Sequence, residues 1–150
     1  MGQVGKYVTR WVRNACLIAP LALAVAGLDW LLKAGVIAAG APHQFHWFYE
    51  RPPSPLVTAW ALAWLIVFPG LVERRAGVIG VALLCGAALG NFGELAALGR
   101  VTGFIPLPPG ARSSPADLIG VIGLLMLLGD LFLGNRVERR RQLASPRTSR

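Results

Sequence analysis

Four long apolar runs constrain this chain more than any other feature of its sequence. They cover about residues 15–37, 55–72, 76–98 and 116–133. A helix needs about 20 largely apolar residues to cross the hydrocarbon core of a bilayer. The sequence therefore predicts an all-α integral membrane protein with four transmembrane helices. It comprises a membrane domain over residues 1–135 and a basic tail over residues 136–150, which lacks apolar periodicity and is predicted to be disordered.

The distribution of basic residues sets the predicted orientation of these helices. The net charge is +8, but eleven of the fifteen basic residues fall in three segments: Lys6, Arg10 and Arg13; Arg74 and Arg75; and Arg136, Arg139, Arg140, Arg141, Arg147 and Arg150. Cytoplasmic segments of membrane proteins are enriched in Lys and Arg. Both termini are therefore predicted to be cytoplasmic, and anionic lipid and acidic partners are two open interpretations for contacts of the basic tail. Because no recognition motif accompanies the charge, nucleic acid is not a predicted partner.

Small residues and cysteines within the apolar runs favour ordinary packing roles. "GAALG", residues 86–90, is a GxxxG pattern, which permits close contact between apolar helices. We expect this contact to form inside the monomer rather than in a dimer. Cys16 and Cys85 show no metal-binding or CxxC spacing, so both are predicted to be hydrophobic fillers.

Charged and amide side chains interrupt the apolar runs near their predicted outward ends. Asp29 and Lys33 are four residues apart and share one helix face. Asn91 and Glu94 are three apart, and a glutamate in a membrane span usually faces the interior of the bundle. Two interpretations of the Asp29 and Lys33 pair stay open: a simple ion pair at a helix end, or support for a site at the outer surface.

The stretch "SSPAD" at the start of the last run has the features of a helix N-terminus. It places Ser114 at the N-cap and Pro115 at the first helical position, with Asp117 in the first turn. Capping alone is one explanation of Asp117. The other is a functional site, since further polar residues are predicted to converge on the same membrane face.

The loop "HQFHWFYE", residues 43–50, raises the question of a metal site. His43 and His46 have a spacing that could suit a metal ion. Aromatic residues surround them, however, and an aromatic belt at the membrane interface explains the stretch better. The sequence thus predicts no metal and no cofactor.

The order and spacing of these polar motifs resemble the lipoprotein signal peptidase (signal peptidase II) family over about residues 10–135. The resemblance rests on Asp-x-x-x-Lys at residues 29–33, "GAALGN" at 86–91, Gly-x-Val-x-x-Phe-Ile at 99–105 and "ADLI" at 116–119. It implies four transmembrane helices with a small extracytoplasmic β-cradle in the bacterial inner membrane. It also implies an intramembrane aspartyl peptidase that cleaves the prolipoprotein signal peptide just before the lipid-modified cysteine.

Carried over residue by residue, the resemblance puts the second catalytic aspartate of the family on Asp117. The asparagine of the same motif falls on Ser114, and the first catalytic aspartate falls on Gly103. The Asn-x-x-Asp motif of the third helix becomes Asn91 and Glu94. Together with Asp29, Lys33 and Ser114, Asn91 is then expected to support the site.

The resemblance therefore implies an incomplete catalytic pair. The family's chemistry needs two carboxyl groups that share a proton, and the glycine at position 103 supplies none. Glu94 is the candidate substitute, but it lies nine residues earlier, about 13 Å away if the helix continued. We expect a pseudoenzyme that binds lipidated signal peptides or a membrane helix without cutting them. The alternatives are an active divergent peptidase that uses Asp117 with Glu94, and a structural partner of another membrane protein.

Overall fold

The chain folds mainly into helices, with short strands near one end of the bundle. The computed structural model describes residues 3–46, 67–108 and 110–144. In chain order, the elements are α1 (Gln3–Ala38), β1 (Gln44–His46), α2 (residues 67–71), α3 (Arg75–Leu98), β2 (Val101–Gly103), β3 (Ile105–Leu107), β4 (Ala111–Ser113) and α4 (Pro115–Ala144).

Three of these helices are long and apolar enough to cross a membrane. The qualifying segments are Val4–Ala38, Arg75–Leu98 and Pro115–Phe132. The third apolar run predicts α3 to within one residue at its start, and the fourth run predicts the start of α4 equally well. Most of the second run lies outside the described residues, and its described end is helical over residues 67–71.

Two helices extend beyond the apolar runs that predict them. Helix α1 begins at Gln3, about twelve residues before the first run, and α4 continues to Ala144. The prediction of a disordered tail is therefore wrong for residues 136–144, while residues 145–150 lie outside the described residues. The segment "RVERRRQLA" contains strong helix formers and no Gly or Pro. Helix propensity allows the backbone to stay helical after the apolar run has ended.

Helix α3 lies between α1 and α4 and packs against both. A Cβ atom added at Gly86 would lie 2.6 Å from the Cβ of Val25 in α1. Where α3 meets α4, a Cβ at Gly80 would lie 2.8 Å from the carbonyl oxygen of Gly123. Such short separations require glycine at these contacts. The predicted close packing at Gly86 within the monomer is confirmed.

The core between these helices is built from small and β-branched side chains. It contains Ile18, Ala22, Val72, Val78, Val81, Ala82, Cys85 and Leu127. Cys85 thus fills the core as predicted, whereas Cys16 is exposed on α1. Many leucines on the outer faces of α1 and α4 are exposed as well, including Leu31 and Leu125 at 72% and 63%. Exposed apolar faces of this extent are expected where lipid replaces water as the solvent.

The strands form two small antiparallel sheets between the ends of the long helices. Strand β1 pairs with β2 so that Gln44 faces Gly103, and β3 pairs with β4 so that Ile105 faces Ser113. The N–H of Phe104 donates to the carbonyl oxygen of Ser113 at 2.9 Å and links the two sheets. The Arg112 guanidinium donates to the Pro42 carbonyl at 2.7 Å, which ties β4 to the chain after α1.

The charged side chains gather at two opposite ends of the helices. One end, called here the basic end, contains Arg10, Arg13, Glu73, Arg74, Arg75 and Asp130. The other, called the polar end, contains Asp29, Lys33, Asn91, Glu94 and Asp117. Arg13 and Lys33 are separated by about 20 residues of α1, or about 30 Å, which is the thickness of a bilayer's hydrocarbon core.

Two ion pairs hold segments together at the basic end. Arg10 of α1 pairs with Glu73, and the Arg74 Nε lies 3.9 Å from a carboxylate oxygen of Asp130 in α4. The start of α1, the segment 73–75 and the later part of α4 therefore lie on the same side of the molecule, as the charge pattern predicts.

Candidate functional site

Lys33 is the centre of the polar end. It is 3% exposed, although it carries a charge. Its ammonium nitrogen lies 2.7 Å from Asp29 Oδ2 on α1 and 2.8 Å from Glu94 Oε2 on α3. It also donates to Asn91 Oδ1 at 2.9 Å. An ammonium group has three N–H donors, so these three partners use all of them.

Asp29 connects α1 to the beginning of α4. Its side chain is fully buried. While Oδ2 pairs with Lys33, Oδ1 accepts a hydrogen bond from the backbone N–H of Ala116 at 3.0 Å. That N–H belongs to the first turn of α4, where amides have no partner within the helix. Asp29 thus supplies an acceptor from a different helix.

Close approach of α1 and α3 makes this arrangement possible. A Cβ added at Gly90 would lie 2.8 Å from Asp29 Oδ2, so a larger residue would displace the carboxylate. The indole N–H of Trp30 donates to the Gly90 carbonyl oxygen at 3.0 Å. The predicted approach of helices at "GAALG" therefore also determines where the Asp29 side chain fits.

Glu94 holds the strand that follows α3. The helix ends at Leu98, and Gly99 adopts the left-handed conformation with φ of 67°. The chain then turns back, and both Glu94 carboxylate oxygens lie 3.1 Å from the backbone nitrogen of Thr102. The Thr102 hydroxyl donates to Glu94 as well. Glu94 is consequently much closer to β2 than the 13 Å expected for a continuous helix.

Asp117 lies in a reciprocal hydrogen-bonded cap at the start of α4. Its backbone N–H donates to Ser114 Oγ at 3.2 Å, and its Oδ2 accepts from the Ser114 N–H at 2.9 Å. This geometry is that of a capping box, so the predicted N-cap is confirmed. The Ser113 hydroxyl also donates to Oδ2, at 3.1 Å.

Asn91 connects the Asp117 cap to Lys33. Its amide nitrogen donates to Asp117 Oδ1 at 2.7 Å. Its amide oxygen accepts from Lys33 and, at 3.2 Å, from the Ser114 hydroxyl. The predicted convergence of Asp29, Asn91 and Asp117 is thus observed, with Lys33 joining the first two and a direct hydrogen bond joining the last two.

The members of this cluster differ in accessibility. Asp29, Lys33 and Glu94 are buried, whereas Asp117 is exposed and Asn91 is partly exposed. Three carboxylates accompany one lysine. Two of them, Asp29 and Glu94, contact its ammonium directly. The negative charge of Asp117 is stabilised by uncharged donors and by the N-terminus of α4. Among the three carboxylates, only that of Asp117 belongs to an exposed residue.

Gly103, the position that the resemblance assigns to the first catalytic aspartate, is the last residue of β2. The next residue, Phe104, bonds to Ser113, whose hydroxyl contacts Asp117. Position 103 therefore adjoins the strand that leads into the cap. Its neighbour on the other side, Thr102, is the residue bound by Glu94.

Sequence reasoning missed two contributors to the site. Thr102 and Ser113 are both buried, and both donate to its carboxylates. Ser113 lies beside the predicted N-cap, so the doubled serine of "SSPAD" was a usable signal. Thr102 has a side-chain hydroxyl group, but only the turn at Gly99 brings that group to Glu94.

In the histidine-containing loop, His43 Nδ1 lies 2.7 Å from the Ala41 carbonyl oxygen, while residues 47–50 lie outside the described residues.

Comparison with known proteins adds no relative to this description. No protein-family model matches the chain, and no curated protein matches it.

Proposed function

We propose that this chain is a signal-peptidase-II-like membrane protein that binds a lipidated signal peptide, or a similar apolar membrane helix, at its polar end without hydrolysing it. The proposal includes four transmembrane helices in a bacterial inner membrane and two cytoplasmic termini. The two small sheets would then form a cradle on the outer face.

The observation that carries the proposal is the set of groups around Asp117. Its two oxygens accept hydrogen bonds from Asn91, Ser113 and Ser114, and none of these donors is a carboxyl group. Aspartyl hydrolysis needs one carboxylate as the base and a protonated partner as the acid. Position 103, which adjoins this cap, is a glycine. Asp117 therefore offers an acceptor for a peptide, and among the described residues no second carboxyl group contacts it.

The surroundings of Asp117 suit an apolar ligand with polar backbone groups. Leu118, Val121 and Ile122 follow Asp117 on α4 and are 40%, 56% and 52% exposed. An apolar segment could pack along these side chains while the exposed carboxylate accepts a backbone N–H. Such a hydrogen bond is valuable near a membrane because an unpaired backbone group there costs several kcal/mol.

One observation favours the active alternative. Glu94 lies beside Thr102, the neighbour of Gly103, and so a carboxylate is present near the position of the missing aspartate. Its oxygens, however, are occupied by Thr102 and Lys33. A base must be free to take a proton from water, and Glu94 would have to abandon a buried ion pair to do so. We therefore favour binding without hydrolysis.

Photocrosslinking tests this binding directly. A photoreactive amino acid would replace Leu118 at the polar end or, as the matched control, the exposed Phe132 toward the basic end of the same helix. The protein would be reconstituted with a synthetic lipidated signal peptide. We expect crosslinking from position 118, competed by unlabelled peptide, and little from position 132. Equal crosslinking from both positions would refute a specific site. Capture of another membrane protein with no peptide crosslink would support a structural role instead.

Cysteine labelling tests the proposed topology. In a background with Cys16→Ala and Cys85→Ala, single cysteines at positions 75 and 140 should react only after the cytoplasmic face is exposed. A cysteine at position 107, in β3, should react from outside. Labelling of 75 or 140 from the outside would overturn the topology and the outward placement of the site.

A further inference from the structure

A cavity of about 620 Å³ opens at the basic end, on the side of the molecule where α1 and α3 meet. Its lining comes from the first half of α1 and the first two turns of α3, with Glu73 between them. None of the lining residues belongs to the polar end. The cavity is therefore separate from the Asp117 site, and its lining on α1 ends at Leu21, eight residues or about 12 Å before Asp29.

The lining changes from charged to apolar along the helix axis. Arg13 and Arg75 lie at the outer part of the cavity, and Leu17, Leu21 and Ile79 continue the wall. Leu17 and Leu21 are four and eight residues beyond Arg13, or about 6 and 12 Å farther along α1 toward the membrane centre. Leu17 and Ile79 are 58% and 41% exposed, so the wall is open to lipid.

The mouth of the cavity is positively charged. Arg13 and Arg75 are both exposed, and the Arg13 Nε donates a long hydrogen bond of 3.4 Å to Asn14. Within the part of the chain that the structure describes, Arg75 makes no ion pair. Glu73 also lines the cavity, but its carboxylate is paired with Arg10. Two guanidinium groups thus line the cavity, and a planar guanidinium binds anions well.

We propose that this cavity binds one anionic phospholipid from the leaflet at the basic end. The phosphate is held by Arg13 and Arg75, and an acyl chain lies along Leu17, Leu21 and Ile79. Basic pockets between transmembrane helices are suited to anionic headgroups. The proposal is independent of signal-peptide binding, because it uses no residue of the polar end.

The combination of charge and apolar wall selects a lipid over other occupants. A free phosphate would contact the arginines and leave the leucines unused. An apolar helix from a partner would cover the leucines but would offer no negative charge to the two arginines. An anionic phospholipid satisfies both parts of the cavity, and the cavity volume lies within the range of about 300–1,000 Å³ typical of ligand sites.

Native mass spectrometry of the purified full chain tests the proposal. The protein would be presented with equal amounts of phosphatidylglycerol and phosphatidylcholine. We expect one phosphatidylglycerol to be retained preferentially. Arg13→Gln and Arg75→Gln should each reduce that retention about fivefold, the effect of about one basic contact to an anionic lipid. Ile79→Trp puts a larger side chain into the cavity and changes no charge, and it should also reduce retention of phosphatidylglycerol.

Lys6→Gln is the matched control because Lys6 is exposed on the same end of α1 but does not line the cavity. It should leave lipid retention unchanged, as should excess inorganic phosphate. Because the substituted side chains are exposed, the variants are expected to fold, and their melting temperatures would verify this. Equal retention of the two lipids would overturn the proposal. So would equal losses for Lys6→Gln and Arg13→Gln, or displacement of the lipid by phosphate alone.

Discussion

The polar end and the basic end both contain charged residues from several helices, yet they use them differently. At the polar end, Lys33 is 3% exposed and its ammonium contacts Asp29, Glu94 and Asn91. At the basic end, the Arg10 and Glu73 side chains are 34% and 69% exposed, and Arg74 is 3.9 Å from its partner. The Lys33 group at the polar end is buried and fully paired, whereas the pair of Arg10 with Glu73 at the basic end is exposed.

The carboxylates of the polar end hold backbone segments in place as well as pairing with side chains. Each carboxylate at the polar end accepts a backbone N–H from the stretch of chain that forms the site: Asp29 from Ala116, Glu94 from Thr102 and Asp117 from Ser114. The charges at the basic end join side chains to one another. Loss of a group at the polar end should therefore disturb the backbone as well as a pair of charges.

The largest effect is expected for Lys33→Met. The substitution keeps an unbranched side chain but leaves the Asp29 and Glu94 carboxylates buried without their cation. Removal of one partner from a buried ion pair costs about 3–5 kcal/mol. The free energy of unfolding in mixed micelles should fall by about that amount. Leu32→Met, at the adjacent exposed position, is the control and should change it little. If Lys33→Met lowered the free energy of unfolding by no more than the loss of a surface ion pair does, the two ends would not differ as we describe.

A smaller loss of unfolding free energy is expected for Asn14→Leu. Asn14 is a buried polar residue at the basic end, so this variant separates the effect of burial from the effect of position. It is 1% exposed, and its amide donates to the carbonyl oxygens of Pro69 and Val72 at 2.8 and 2.9 Å. Leucine would leave these carbonyls without that donor, at about 1–3 kcal/mol for an unsatisfied buried group. Thr9→Val removes an exposed hydrogen bond to Gly5 and should cost less than about 0.5 kcal/mol. Equal losses for the two variants would mean that burial does not decide the effect.

The smallest effect is expected for Arg10→Gln. Its pair with Glu73 is exposed, and such pairs contribute about 0–1 kcal/mol. Whatever contribution exists should decrease further in high salt, since exposed charges are screened. Measurement of the unfolding free energy at low and high salt would test both points. If Arg10→Gln lowered the unfolding free energy by about as much as Lys33→Met, and equally at low and high salt, the ion pairs at the two ends would contribute to stability in the same way.

The fold was predictable where hydrophobicity alone decides it. Apolar runs of membrane-spanning length predicted α3 and the beginning of α4, since lipid forces such segments to satisfy their backbone internally. The same signal missed the first twelve residues of α1 and the helix over residues 136–144. The segment 136–144 is polar, so helix propensity and not hydrophobicity determines its conformation. Residues 3–14 mix apolar with charged and amide side chains, so they form no continuous apolar run.

The convergence of Asp29, Asn91 and Asp117 at one end was predictable from the position of each on its apolar run, but individual contacts were predictable only where they are local in sequence. The four-residue spacing predicted the Asp29 and Lys33 pair, and "SSPAD" predicted the Ser114 cap. The contact between Lys33 and Glu94 depends on the distance between α1 and α3 at Gly86 and on how far one helix is shifted along the other. A linear sequence does not specify that register.

A cleavage assay on a lipidated prolipoprotein decides between binding alone and hydrolysis. In the proposed function, Asp117 is a ligand acceptor that no second carboxyl group among the described residues contacts. The reconstituted chain, and the Asp117→Asn variant as its control, should yield no detectable product. Gly103→Asp should restore some cleavage by placing a carboxyl beside the cap, because a positioned acid or base contributes about 10²–10⁴ in rate. Robust cleavage by the unmodified chain that is abolished by Glu94→Gln would contradict the account and establish the chain as an active peptidase.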